Sequence, residues 1–463
     1  MRADIVAFMA SYARASSGVC HVRCRFIFRL ILLGCIAISQ VNGQVSLTSA
    51  VDRALENSPK ILSAEHDVNR AKAALAVTKD IFIPSVVTGG GVGDAYGITL
   101  SVPTIFTINA QSLVYSAQQR FYIRAARSDL QAASLALQEA RGQIEEDTVL
   151  TYLSLDHAQK TAEVVAEQYA LALKLVSIVE DRVNAKLEND LELIKSQRVA
   201  VQLKLQKIRA ENDEMVLREH LAHLTGLPEG GIRAQAETIP AMPSLDKPEE
   251  FRESSLPESA GILSAQANVE AKRQRADGDS RYTWRPQVTF GAQYGRVSPI
   301  ENVSEFYNLH NNYNSASAGV QIQFPLLDRV RKAAAKQSTE DALRSETDLD
   351  GMRAGEAEDR LKLQRSIPEL ATIQELAQLE LKIAQSELSS AELQAKQSSG
   401  GPLVTPKDEV NARIQERLRY LDLIDANLQL ERAKVSLVRQ KGELDKWVHS
   451  PEGTGAPTAP LAP

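Results

Sequence analysis

Beyond residue 35 the chain has no cysteine, because Cys20, Cys24 and Cys35 are its only three. A mature form that begins after them has no disulfide, no thiolate metal site and no cysteine nucleophile. Aromatic residues make up 5% of the chain, and Ala, Leu, Gln, Glu, Lys and Arg dominate instead. That is the composition of long, surface-rich helices. An excess of positive charge is missing too. The formal charge is -6, and without residues 1–43, which hold five Arg and one Asp, 48 basic face 58 acidic side chains. A phosphate-backbone partner needs a basic face, so nucleic acid is excluded.

Catalytic patterns are also lacking. Gly89-Gly90-Gly91-Val92-Gly93 is glycine-rich, but it has neither a phosphate-loop Lys-Ser/Thr nor the spacing of GxGxxG. His220 and His223 stand three apart without an HExxH pattern or a third ligand nearby. No nucleophile elbow occurs. We therefore expect no catalytic residue, no metal ligand and no cofactor, and a protein that is not an enzyme.

The N-terminus reads as an export signal. Arg23, Arg25 and Arg29 lead into Leu30–Ile38, an apolar run too short for a stable membrane helix. Val41-Asn42-Gly43 suits a cleavage site, which makes 1–43 the signal peptide and Gln44 the first mature residue, with Met9 as an alternative start. Leu32-Leu33-Gly34-Cys35 also resembles a lipoprotein box, which would leave Cys35 acylated.

The rest of the chain repeats itself. Ile61-Leu62-Ser63-Ala64 followed by Val68 recurs as Ile262-Leu263-Ser264-Ala265 followed by Val269. Pro84-Ser85-Val86-Val87-Thr88-Gly89 recurs as Pro286-Gln287-Val288-Thr289-Phe290-Gly291. Each copy then reaches a second proline, in Val102-Pro103 and Phe324-Pro325, before a long proline-poor segment. A period of about 200 far exceeds a solenoid unit and indicates a duplication. It divides the mature chain into a first repeat, 44–226, a proline-rich connection, 227–258, a second repeat, 259–449, and a disordered tail, 450–463.

Apolar spacing of three to four predicts a helix over 47–79, capped by Thr48 and kinked at Ser58-Pro59. Strands follow around Val86–Thr88 and Ile98–Val102, with a turn near Gly93-Asp94-Ala95. From Ser116 to about Lys186 there is no proline, so a helix of about 105 Å is expected. Its counterpart, 329–397, is more polar and carries a bend at Pro368. Turns at 186–189 and 398–402 lead into return helices, 190–226 and 406–447. In the first repeat the two short helices, 47–79 and 190–226, together match the long helix in length and could lie end to end beside it.

In the second repeat Val288, Phe290, Ala292 and Tyr294 alternate with polar or small residues, as do Ala316, Ala318, Val320, Ile322 and Phe324. Period two gives one apolar and one polar face. A soluble sandwich turns the apolar face to a core, whereas a membrane barrel turns it to lipid and the polar face to a wet lumen. In the second setting Tyr282 and Trp284 would mark the interface, and Val288, Phe290, Ala318, Val320, Ile322 and Phe324 would meet lipid.

The order of these elements resembles the TolC-type outer-membrane efflux protein family. Ala54-Leu55-Glu56-Asn57-Ser58-Pro59 is similar to its opening signature. Phe324-Pro325-Leu326-Leu327-Asp328 with Arg331 is similar to its exit from the second strand pair, and Leu221–Pro228 to the end of its first half. The likeness covers about 44–448. It implies a mainly α-helical subunit with membrane β-structure, in which four strands per chain join a homotrimeric 12-stranded barrel below which the helices form a periplasmic tunnel. It implies an outer-membrane location and, as partners, a periplasmic adaptor, an inner-membrane pump and lipid. The implied function is a passive efflux duct. A channel for protein secretion shares the architecture, and a periplasmic coiled-coil scaffold is the remaining alternative. The resemblance also places a periplasmic gate at Asp408, Asn411 and Glu192, and adaptor-docking turns at Lys186, Leu187, Gly401, Pro402 and Leu403. Lys186 stands where the family has the turn glycine.

Overall fold

The computed structural model describes residues 44–91, 104–228, 232–242, 257–282, 285–297, 314–325, 328–396 and 405–450. Six strands are described: β1 (Gln44–Val45), β2 (Ser85–Gly90), β3 (Thr104–Ser116), β4 (Arg233–Ala234), β5 (Gln287–Val297) and β6 (Asn314–Gln323). The helices are α1 (Leu47–Asn57), α2 (Pro59–Asp80), α3 (Ala117–Asn184), α4 (Asp190–Thr225), α5 (Ala260–Tyr282), α6 (Arg329–Lys396), α7 (Pro406–Gln440) and α8 (Leu444–Val448). The fold is predominantly helical with one four-stranded antiparallel sheet, ordered β2-β3-β5-β6.

The helices continue the order of the sheet. Next to the strands, α2, α3, α5 and α6 pack in a row; beyond them the row becomes α4, α3, α7 and α6. The two 68-residue helices α3 and α6 run through both levels. Short helices lie along both levels beside each of them, and in the first repeat their lengths predict it. On the first side the joint is tied by Asn57, whose Nδ2 donates to the Thr225 carbonyl at 3.3 Å, and Gly226 turns α4 off at φ 69°. A left-handed residue just past a helix end is the usual place for glycine.

Between the two levels lies the largest dry core. Leu47, Val51, Val149, Tyr152, Leu155, Leu221, Val435 and Val448 are all essentially inaccessible there. Burying each such side chain contributes about 1.5–3 kcal/mol. The Tyr152 hydroxyl accepts from Gln235 N and donates to Val45 O, both at 2.8 Å, and so joins the parallel pair β1 and β4. Trp447 Nε1 donates to Ala241 O at 3.2 Å, drawing the connection between the repeats into the same core.

The structure differs from expectation in two places. Ser46, not Thr48, caps α1 by accepting from Ser49 N, while Thr48 donates to Val448 O at 3.3 Å. The expected strand Ile98–Val102 and the turn at Gly93-Asp94-Ala95 lie outside the described residues; the partner of β2 is instead β3, which begins after Pro103. The two second prolines are therefore not equivalent, since Pro103 precedes its strand and Pro325 follows one. Proline cannot donate to a ladder and is tolerated at a strand's end, so either position is permitted. The signal segment 1–43, Trp284, residues 243–256 of the connection, the turn 398–402 and the tail from 451 also lie outside the described residues.

Candidate functional site

Two regions carry the features that matter for function: the sheet and the far helical turn. Register decides the character of the sheet. Val288 pairs with Ile322, Phe290 with Val320, Ala292 with Ala318 and Tyr294 with Ala316. On the other side of β5, Phe290, Ala292 and Tyr294 pair with Ser112, Ala110 and Ile108, and Ala110 in turn faces Val86. Directly opposed residues share a face, so these side chains form one largely apolar surface. The other face carries Gln111, Asn109, Thr107, Gln293, Thr289, Gln321 and Ser317 with glycines between them. Gly291 and Gly319 face each other there with open space beyond.

Among the described residues, nothing covers the apolar face on β6. Val320 and Ile322 are 62% and 57% exposed, Phe324 just past the strand is exposed as well, and Ala318 lies on the same open strand. Val288 and Phe290 are half-buried. The outer edges of β2 and β6 pair with no other strand among the described residues. No described helix is long and apolar enough to cross a membrane.

The far turn joins α3 to α4. Lys186 adopts φ 61°, with Lys186 N bonded to Val183 O and Leu187 N to Arg182 O, both at 2.9 Å. This is the Schellman helix end, with lysine in the left-handed position that glycine usually takes. Lysine keeps the turn's geometry at a cost of roughly 1 kcal/mol. Asn189 then caps α4 by accepting from Glu192 N at 3.1 Å.

Salt bridges bind this turn to the start of α7. Lys407 Nζ lies 2.9 Å from Glu192 and 3.4 Å from Glu188, whose carboxylate also takes Arg182 at 3.0 Å. Hydrogen bonds from Lys195 and Lys407 hold the Glu192 carboxyl down at about 2, and Glu192 in turn pushes the Lys407 ammonium above its ordinary range. Asp408 points back to its own helix start, accepting from Thr405 N at 3.0 Å and Thr405 Oγ1 at 2.7 Å. The Thr405 hydroxyl bond is the largest cause of its lowered pKa. Of the gate candidates, then, Glu192 joins the two repeats and Asp408 caps α7, while Asn411 is half-buried one turn further on. Leu187 is exposed beside Lys186. Gly401, Pro402 and Leu403 lie outside the described residues.

The sequence did not single out Lys407 or Glu188. Both are ordinary helix-end charges until the turn and α7 are brought side by side. His220 and His223 are exposed on α4, each 3.7 Å from a carboxylate, Asp147 and Glu219.

No family model matches the chain, and no curated protein matches it. Solved structures do. The outer-membrane channel CmeC of Campylobacter jejuni superposes with a TM-score of 0.69 at 14% identity, covering 86% of this chain and 85% of that one. The open state of the MtrE outer-membrane channel of Neisseria gonorrhoeae gives 0.65 at 13%, covering 88% and 89%. The outer-membrane channel OprN gives 0.67 at 14%, covering 87% and 90%. The fold of this chain is the fold of those channels.

Proposed function

We propose that three copies of this chain close into one outer-membrane channel, a passive exit duct for small molecules delivered by an inner-membrane pump through a periplasmic adaptor. The observation that carries this reading is an open row whose two edges have no partner at any level among the described residues. In lipid the free edges of β2 and β6 would leave backbone groups unsatisfied, so the sheet must close. Four strands are too few to close a barrel, whereas three copies supply twelve.

The helices repeat the problem. On α4, Leu191, Ile194, Val201, Leu205, Ile208 and Met215 are exposed at alternating steps of three and four, interrupted at Arg198 and Asn212. On α6, Leu376, Leu379, Ile383 and Leu393 are exposed in the same rhythm. Such a 3.5-residue repeat is a coiled-coil face without its partner. The two stripes lie on opposite ends of the row, so a head-to-tail contact of α4 with α6 of the next copy closes a ring by rotation. With the apolar sheet face outward, Val320 and Ile322 meet lipid and the glutamines line a wet bore. At the far turn, Glu192, Asp408 and Asn411 would stand at the periplasmic entrance, and Lys186 and Leu187 would be offered to the adaptor.

The test combines mass and conductance. The mature chain purified in detergent should run as a trimer and form channels in planar bilayers. Leu376→Glu with Ile383→Glu should yield monomers of unchanged helix content and no channels. A wild-type chain that stays monomeric and soluble without detergent would instead favour a periplasmic scaffold.

A further inference from the structure

The four helices leave the sheet through a basic collar. Residues 73–84, 117–124, 275–286 and 324–336, the helix ends and connections next to the strands, carry ten basic and four acidic side chains in a chain of net charge -6. Two of the four acids are already engaged: Asp279 accepts from Tyr122, Gln118 and Ser338, and Asp328 pairs with Arg331 at 2.9 Å.

Elsewhere most helical arginines are neutralised, although among the described residues Arg53, Arg127, Arg198, Arg209, Arg365 and Arg432 have no carboxylate partner. Arg141, Arg182, Arg218, Arg353, Arg413, Arg417, Arg419 and Arg439 each sit within 4 Å of a carboxylate. In the collar, Arg120, Arg124, Arg281, Arg329, Lys332 and Lys336 are exposed and have no carboxylate partner among the described residues. What three of them touch is aromatic. Arg281 and Arg124 lie 4.5 and 5.4 Å from the centre of the Phe121 ring, and Arg120 lies 5.5 Å from that of Tyr115.

Tyr115 fixes where this happens. It pairs with Val288, so it belongs to the apolar face of the sheet, at the border nearest the helices. A guanidinium stacked on that ring is held just beyond the apolar surface, with its donors free. Arginine forks match phosphate geometry, and stacking on a ring leaves the in-plane donors available.

We infer that this collar binds the phosphodiester headgroups of anionic phospholipids in the leaflet nearest the helices, with Arg120, Arg124 and Arg281 as principal contacts. This rests on the proposed membrane reading of the sheet. A basic cluster next to a membrane segment attracts anionic lipid by about 1 kcal/mol per cation, or about fivefold in affinity. Removing three cations should therefore weaken binding by about a hundredfold.

The experiment uses the full mature chain, reconstituted into phosphatidylcholine vesicles with and without phosphatidylglycerol. Retention of spin-labelled phosphatidylglycerol is measured, and native mass spectrometry counts lipids on the detergent-released protein. The wild type should insert into both vesicles and hold phosphatidylglycerol in preference to phosphatidylcholine, less so at high salt. R120Q/R124Q/R281Q should insert equally and lose the preference, whereas R120K/R124K/R281K and the body variant R141Q should keep most of it. Insertion with no preference, or an unchanged preference in the glutamine variant, overturns the inference while leaving the membrane reading intact. Full displacement by inorganic phosphate would mark a site for soluble anions and overturn the assignment to lipid. Failure to insert into either vesicle sinks both readings.

Discussion

The two long helices have the same length and come from duplicated sequence, yet they live differently. Helix α3 is second in the row and has neighbours on both sides at both levels. It buries Ile144, Val149, Tyr152, Leu155, Val165, Leu175 and Val179, among others. Helix α6 is the end of the row. Its buried residues are fewer and smaller, while Leu343, Leu361, Leu376, Leu379, Ile383 and Leu393 stay exposed. The polarity difference visible in the sequence thus reflects position in the row, not a weaker fold. An apolar residue on α3 holds the subunit together; one at these exposed positions of α6 does not, and is what the proposed ring would use for contact with another copy.

That distinction can be broken first by shortening side chains. Leu155→Ala, in the inaccessible core, should destabilise the subunit by about 2–5 kcal/mol through lost burial and the cavity left behind. Leu393→Ala, at an exposed position of α6, should change the stability of the isolated subunit by less than about 0.5 kcal/mol, since exposed positions have no cavity to leave. Thermal or chemical unfolding of the monomeric α6 double variant as host measures both. Comparable losses at the two positions would end the distinction.

A second contrast concerns charge. The centre of α3 carries Glu145, buried, with Oε1 unpartnered and its pKa pushed to about 7 by burial first and by Asp445 second. No α6 carboxylate is buried among the described residues. The unfolded group ionises near 4.5, so folding is favoured most below that pH, and the favour is lost as pH rises from about 4.5 to 7. Glu145→Gln should remove this slope and stabilise the protein above pH 7 by on the order of 1–3 kcal/mol. Denaturant midpoints at pH 5 and pH 8 read the effect; a wild type equally stable at both would contradict it.

The smallest effect is at the turn where α3 ends. Lys186→Gly should gain several tenths of a kcal/mol, because the left-handed strain removed slightly exceeds the added freedom of the unfolded chain. Unfolding midpoints of the two forms measure it, and a loss would show that the lysine side chain contributes more than the strain removes.

Much of the architecture was legible from residues. Proline-free length and three-to-four spacing predicted both long helices and their return partners, because a helix records its packing locally at every turn. The pairs Val288–Phe290 and Val320–Ile322 announced strands by strict alternation. Strand β3 was missed although Phe106, Ile108 and Ala110 alternate with Thr107, Asn109 and Gln111. Its apolar partners are small or interrupted by Ser112, and it starts at a proline that in the other repeat marks a strand's end. At the turn, the family resemblance offers Asp408 as an entrance residue, and its described contacts are those of a helix cap. Glu192 gained its meaning only with Lys407, which lies 215 residues away.

By itself the sequence determined which segments are helix and strand, that they occur twice, and which strand residues share a face. These follow from short-range stereochemistry and periodicity. Only the tertiary structure decided which elements are neighbours: that β3 and β5 join the repeats, that α3 is interior and α6 is an edge, and that unpaired arginines gather below the apolar face. Those facts depend on how distant segments align, and alignment is set by the sum of many weak contacts that no local pattern records.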